Sequence, residues 1–404
     1  MPPIATPTAT VKESAWDLFL VFLRLGLTSF GGPVAHLGYF RDEFVERRRW
    51  LSEHGYADLV ALCQFLPGPA SSQVGMAIGL LRHGYRGALA AWAGFTLPSA
   101  VALVLFALGM SRYGAGLPPA VLHGLKVAAV AVVAQAVWAM ARKLCTDAPR
   151  IAIAALAAGA ALMLPGAAGQ VGIIAAAALA GLLATRAPTL AAREPLPVAI
   201  GRRAGAAWLS LFFGLLALLP LLASALPSQA LADVAAFFRV GAMVFGGGHV
   251  VLPLLQAEVV PRGLVDNDAF LAGYGMAQAM PGPLFTFAAF LGASMRLPPS
   301  GWLGGSLCLL AIFAPSFLLV AGAMPFWESL RRNVRMQTAL AGINAAVVGL
   351  LLAALYRPVG TAAIHGVADL GIALAAFIAL QSGKCPPWLA VVGCGAASAL
   401  IGAA

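Results

Sequence analysis

Three stretches of this chain, 150–185, 204–226 and 387–404, are too long and too uniformly apolar to be strands. A transmembrane helix needs about 20 apolar residues, and a strand of a membrane barrel shows alternation over roughly ten. No such alternation occurs here. Charged residues make up 10% of the chain and hydrophobic ones 61%, where a soluble domain carries about 25% charged. The chain reads as an all-α polytopic membrane protein embedded in a lipid bilayer. Apolar segments fall near 16–37, 57–81, 87–110, 119–141, 150–165, 168–185 and 204–226. Six more fall near 231–256, 268–295, 300–323, 337–356, 361–381 and 387–404, making thirteen.

The net charge of +10 sits mostly between these segments. Topology explains it, and no nucleic-acid motif accompanies it. The start, MPPIATPTATVKESAW, lacks the basic and apolar regions of a signal peptide. The five cysteines have neither CxxC nor metal spacing, so the expectation is no disulfide, no metal and no cofactor.

The chain repeats itself. FLRLGLTSFGGP, from Phe22 to Pro33, returns as FFRVGAMVFGGG, from Phe237 to Gly248. Arg24 then aligns with Arg239, and Phe30-Gly31-Gly32 with Phe245-Gly246-Gly247. QFLPGP (Gln64 to Pro69) aligns with QAMPGP (Gln278 to Pro283). Pro67 follows Arg24 by 43 residues, and Pro281 follows Arg239 by 42. Further on, Pro98-Ser99 matches Pro315-Ser316, and GLKVAAVAVV from Gly124 matches GINAAVVGLL from Gly342. Shared membrane composition alone predicts none of this order and spacing. The organisation is an N-terminal tail (1–13), repeat 1 (14–186), a linker with one connecting transmembrane helix (187–229), and repeat 2 (230–404).

Seven apolar segments precede repeat 2. Seven is odd, so the second copy enters the membrane the other way round, as in the inverted-topology repeats of secondary transporters. FGG and PGP interrupt two segments of each copy near the middle. If those segments are re-entrant, the basic loop 40–56, with Arg47-Arg48-Arg49, moves to the inside with the N-terminus. The positive-inside tendency favours that version, and the repeat stays inverted either way.

Irregular backbone survives at membrane depth only inside protein or beside a water-filled cavity. Four matched breaks therefore predict one shared site near the midplane. Pro33, Pro69, Gly248 and Pro283 would each open a short helix, whose free N–H groups suit anions. Gly31, Gly32, Gly68, Gly246, Gly247 and Gly282 provide the turns, and Ser71, Ser72 and Thr286 add hydroxyls. Arg24 and Arg239 present planar donor forks that fit tetrahedral oxyanions. Pairing with Asp17 or Asp233, two helical turns upstream, is the competing explanation. Lys126 and its counterpart Asn344 are further binding candidates, with an interfacial anchor as the alternative for Lys126. Gln64 and Gln278 read as groups that satisfy freed backbone. His36, His249 and Glu258 are candidate proton-coupling groups, although a lone histidine is more often structural. The stretch 34–50 reads as an amphipathic helix with a Glu43–Arg47 pair. No Ser/His/Asp, HExxH, P-loop or GxGxxG constellation appears, which argues against an enzyme or an ATP-driven pump.

FLRLGLTSFGGPVAHLGYFRDEFV with QFLPGPASSQVGMAIG, and FRVGAMVFGGGHVVLPLLQAEVV with QAMPGPLFTFAAFLG, resemble the chromate ion transporter family. Two repeats in one polypeptide resemble its long-chain members. The resemblance implies export of chromate across the bacterial inner membrane and chromate resistance, with sulfate as the look-alike substrate. It carries Arg24, Gly31, Gly32, Pro33, His36, Pro67, Gly68 and Pro69 onto this chain. In repeat 2 it carries Arg239, Gly246, Gly247, Pro281, Gly282 and Pro283. Gly248 departs from Pro33, and His249 is shifted relative to His36. The expected function is a secondary transporter for a tetrahedral divalent oxyanion, coupled to protons or a counter-anion. The alternatives are a passive anion channel and a sulfate transporter on the same scaffold. A homodimer is the expected assembly, since twofold assemblies are commonest.

Overall fold

A computed structural model describes residues 14–113, 119–164, 166–185, 200–383 and 385–402. The expected N-terminal tail and residues 187–199 of the 187–229 linker lie outside the described residues. Helix α1 (Ala15–Thr28) starts at a capping box in which the Asp17 amide donates to Ser14 Oγ and the Ser14 amide donates to Asp17 Oδ2. It stops before Phe30-Gly31-Gly32. Helix α2 (Gly32–Arg41) then starts with Pro33 in its first turn and continues into a π-turn, Asp42–Arg47. The chain has reversed direction by then, because the Phe40 and Phe44 rings lie 5.7 and 5.1 Å from the Phe22 ring. Glu43 takes Arg47 and Arg48 as partners, so the expected Glu43–Arg47 pair forms. The π-turn falls in the interval where repeat 1 carries its one extra residue, and single insertions into helices commonly take this form.

Helix α3 (Glu53–Phe65) runs to the PGP break, and α4 (Ala70–Tyr113) follows it. Non-helical His83 and Gly84 divide α4 between the apolar segments 57–81 and 87–110. Repeat 1 closes with α5 (Pro119–Leu144), α6 (Ala148–Met163) and α7 (Ala167–Ala184). Helix α8 (Arg202–Ala225) is the connecting segment. Repeat 2 contains α9 (Gln229–Met243), α10 (Val251–Val259), α11 (Asn267–Ala279) and α12 (Phe287–Ser294). It continues with α13 (Gly301–Ala323), α14 (Trp327–Arg332), α15 (Val334–Ala354), α16 (Thr361–Ala363), α17 (Val367–Gln381) and α18 (Pro387–Gly402). After each of its breaks repeat 2 first makes a 3-10 turn, at Gly248–Val250 and Leu284–Thr286. Six stretches among the described residues are long and apolar enough to cross a membrane, and the chain is a multi-pass membrane protein.

The repeats interlock. Helix α5 packs on α17 and α18, and α15 packs on α6 and α7. The contacts match in kind. A Cβ on Gly124 would fall 2.6 Å from Gly395 Cα, and one on Gly342 would fall 2.7 Å from Gly181 Cα. Likewise Gly26 sits on the Phe95 carbonyl and Gly241 on the Ile312 carbonyl. Small residues at these crossings let backbones approach where lipid supplies no hydrophobic drive.

Candidate functional site

The four breaks meet, each with its opposite number in the other repeat. The Gly68 amide donates to the Val244 carbonyl at 2.7 Å, and the Gly282 amide donates to the Ser29 carbonyl at 2.9 Å. Val244 and Ser29 hold the same place in their repeats, immediately before Phe-Gly-Gly. Gly68 and Gly282 are the middle residues of the two PGP motifs, with φ of 128° and 93°. A side chain there is excluded twice over. The left-handed region costs an L-residue, and a Cβ on Gly68 would lie 2.6 Å from both Gln73 Nε2 and Ser316 Oγ. The matching Cβ on Gly282 would lie 2.9 Å from Ser99 Oγ. The FGG turns also meet: a Cβ on Gly248 would lie 3.3 Å from Pro33 Cγ, and one on Gly32 3.7 Å from His249 Nε2. Gly31 and Gly246 turn the chain with φ of 101° and 74°, and Gly32 and Gly247 are also left-handed.

Polar atoms gather at this crossing and many have no partner. Buried side-chain atoms without one among the described residues include Ser29 Oγ, Ser72 Oγ, Thr96 Oγ1, Ser316 Oγ, His36 Nε2 and Gln278 Nε2. Ser29, Thr96 and Ser316 are fully buried, and Ser72 is 2% exposed. A hydroxyl left unpaired in such a place costs about 1–3 kcal/mol, so buried polar atoms normally have partners. His36 is fixed by Ser71 Oγ, 3.4 Å from its Nδ1, and by an edge-on contact with Phe95. Thr286 spends its hydroxyl on the Pro283 carbonyl at 2.7 Å. Pro69 caps α4, its carbonyl accepting from the Gln73 amide. Asn344 faces the second FGG turn: its Oδ1 has no hydrogen-bond partner among the described residues and would lie 3.4 Å from a Cβ on Gly246.

The charged candidates are spread over different places. Arg24 is exposed on α1 and makes no side-chain hydrogen bond or ion pair among the described residues. Asp17 does not pair with it, because the capping box with Ser14 takes that carboxylate. Arg239 does not pair with Asp233 either. Its Nε donates to Glu258 Oε1 at 3.0 Å, and Nη2 reaches the same oxygen. Glu258 is therefore a buried ion-pair partner, 5% exposed. Asp233 instead meets Gln229 at 2.7 Å and Arg262 at 3.6 Å. Lys126 reaches Asp268 at 3.1 Å, away from the breaks. His249 contacts the Tyr274 hydroxyl at 3.2 Å. Away from the crossing, His123, His365 and Asp369 form a cluster with metal-ligand chemistry, in which His123 Nε2 lies 2.8 Å from Asp369 Oδ1.

A family model described as "Chromate transporter" matches residues 16–182 and 231–399. The chain belongs to the chromate transporter family. Its relatives include a probable chromate transport protein of Synechococcus elongatus, 29% identical over 88% of this chain and 87% of that protein. The chromate transport protein of Pseudomonas aeruginosa is 29% identical over 83% of this chain and 79% of its own length. That of Cupriavidus metallidurans is 26% identical over 92% and 87%. No solved structure matches the chain. In this member of the chromate transporter family, sequence reasoning missed Ser29, Gln73, Thr96, Ser99 and Ser316 as neighbours of the breaks. Ser99 and Ser316 carried a visible signal, since each follows the matched proline of its repeat. It also missed Asp58, which is 2% exposed and accepts from Trp327 Nε1 and Arg331 Nη1, both at 3.1 Å.

Proposed function

We propose that this protein is a secondary transporter that exports chromate across the inner membrane and so confers chromate resistance. The observation that carries this reading is the crossing of the four breaks, where helix starts from both repeats converge among buried hydroxyls without partners. Helix starts present free N–H groups and partial positive charge to a tetrahedral oxyanion. The starts of α2 and α4, with the hydroxyls of Ser29, Ser72, Thr96 and Ser316, would take the anion. Ser71 and the glycines at the breaks would shape the site. Arg24, which has no side-chain hydrogen bond or ion pair among the described residues, would supply attraction at longer range. Arg239 would serve through its pair with Glu258 rather than as a bare cation. Family membership supports chromate as the substrate, and sulfate shares its shape and charge.

The repeats are proposed to be inverted relative to each other. The odd number of apolar segments before repeat 2 supports this, while the matched crossings at Gly124 with Gly395 and at Gly342 with Gly181 are what any two repeats related by a twofold would make. In such proteins, movement of one part against another exposes a central site to each side in turn. His36, His249 and Glu258 are the groups proposed to couple that movement to protons. Everted vesicles test the reading. Uphill uptake of labelled chromate, driven by an imposed pH gradient and abolished by an uncoupler, is the expected result. Uptake that only follows the chromate gradient would identify a passive channel, and strong preference for sulfate would reassign the substrate.

A further inference from the structure

Matched faces of the two repeats are not in the same state. Helices α3 and α11 are both thirteen residues long and end at PGP, so they align without a gap. The α11 face is shut: Leu271 and Tyr274 are fully buried, and α5 packs across it. A Cβ on Gly275 would lie 2.5 Å from the Leu125 carbonyl, which shows how closely α5 approaches. Lys126 of α5 also holds Asp268 in the first turn of α11. The same face of α3 is open. Ala57, Val60 and Ala61, the counterparts of Leu271, Tyr274 and Gly275, line a cleft of about 440 Å³ between α2 and α3.

That cleft is lined along its length by residues from Arg41 and Glu53 to Gln64, three residues before the first PGP. Its rim carries an Arg41–Glu53 ion pair, with Nε to Oε1 at 2.8 Å. The matched pair in repeat 2 is neutral, with Gln256 Nε2 donating to Asn267 Oδ1 at 2.8 Å. A charged pair suits the wet face and an amide pair the covered one, because removing ions from water is costly. Helix α15 corresponds to α5, yet among the described residues it makes no extensive contact with α3 and lies instead on α10 and the second FGG turn. A neighbouring face of α3 is anchored, through Asp58, to Trp327 and Arg331 of α14.

We propose that the cleft between α2 and α3 is the open mouth through which the oxyanion reaches the crossing, and that α15 closes over it when α5 leaves α11. The opposite-facing state then places Ile343 against Ala61 and Asn344 beside His54, the counterparts of Leu125 with Gly275 and of Lys126 with Asp268. The proposal rests on the secondary-transporter reading and assigns the access path within it.

Cysteine accessibility tests it, in full-length protein carrying Cys145→Ser and Cys385→Ser. Ala57→Cys should react with a membrane-impermeant maleimide from one side of the vesicle in the absence of chromate. Leu271→Cys should stay unlabelled until chromate and the driving gradient are supplied, and then react from the opposite side only. Joining Lys126→Cys to Asp268→Cys with a short reducible cross-linker should block uptake and Leu271→Cys labelling while leaving Ala57→Cys labelling intact. Reductant should restore both. An unreactive Ala57→Cys overturns the proposal, as does cross-linked protein that transports at the free rate. Labelling of Leu271→Cys from the same side as Ala57→Cys overturns it too, and so does its silence while uptake proceeds. Absence of chromate uptake in the unmodified protein would instead defeat the transporter reading, and the chromate-free labelling of Ala57→Cys is read independently of it.

Discussion

The backbone amide of Gly68 donates to the carbonyl of Val244, 2.7 Å away and in the other repeat. Gly282 does the same to Ser29 at 2.9 Å. Each PGP break is thus tied to the end of the helix preceding the FGG break opposite. The four interruptions satisfy part of one another's freed backbone, which is what allows them to persist in a chain this apolar.

Gly68→Ala and Gly282→Ala each test that tie. Both place an L-residue at positive φ, at about 1–2 kcal/mol, and both add a steric clash. The Gly68 variant should be the worse, because its Cβ meets two polar atoms at 2.6 Å, whereas that of Gly282 meets Ser99 Oγ at 2.9 Å and the Phe95 carbonyl oxygen at 3.2 Å. Detergent-solubilised thermal stability should fall in that order, and chromate uptake with it.

Glu258→Ala should destabilise the protein by about 3–5 kcal/mol, since it strands a cation beside buried surroundings. The double variant Arg239→Met/Glu258→Met should recover much of that loss, as replacing both members of such a pair by apolar residues is often near neutral. A double-mutant cycle on thermal stability measures the coupling. If the double variant folds but does not transport, the pair has a role in the cycle beyond holding α9 to α10.

Arg24→Gln should leave membrane insertion and thermal stability unchanged, because Arg24 makes no side-chain contact of that kind among the described residues. Initial uptake should fall about tenfold at low ionic strength and by less at high salt, as expected for long-range attraction of an anion. An effect independent of salt would mean direct contact with the substrate.

Asp58→Asn should loosen α3 from α14, since it weakens a buried carboxylate that takes donors from both Trp327 and Arg331. A loss of about 2–4 kcal/mol in stability is expected from the charged hydrogen bonds involved. The matched residue in repeat 2 is Ala272, so no equivalent penalty exists there.

The helix breaks were legible because glycine and proline act locally: Phe-Gly-Gly and Pro-Gly-Pro interrupt a helix whatever packs around them. The duplication was legible for the same reason, since these residues punctuate both copies at fixed spacing. Charge partners were not. Arg239 meets Glu258 only because the chain reverses at Gly246-Gly247, and Asp17 was unavailable to Arg24 because Ser14 claims it as a cap. Ser29 and Thr96 left little trace, being single hydroxyls in apolar runs, where composition cannot distinguish a lining residue from filler. The difference between the α3 and α11 faces was hard to read as well, because it arises from where α5 and α15 lie; only the charged Arg41–Glu53 pair against the neutral Gln256–Asn267 pair reflects it in the sequence.

The most direct measurement of the central claim is equilibrium binding of labelled chromate to the purified protein, compared with Ser72→Ala and Thr96→Val. The account predicts saturable binding displaced by sulfate. It also predicts that each substitution weakens affinity about tenfold, as loss of one hydrogen bond worth roughly 1.4 kcal/mol would, with thermal stability unchanged or improved. Wild-type affinity in both variants would contradict it and would place the anion elsewhere than at the crossing of the four breaks.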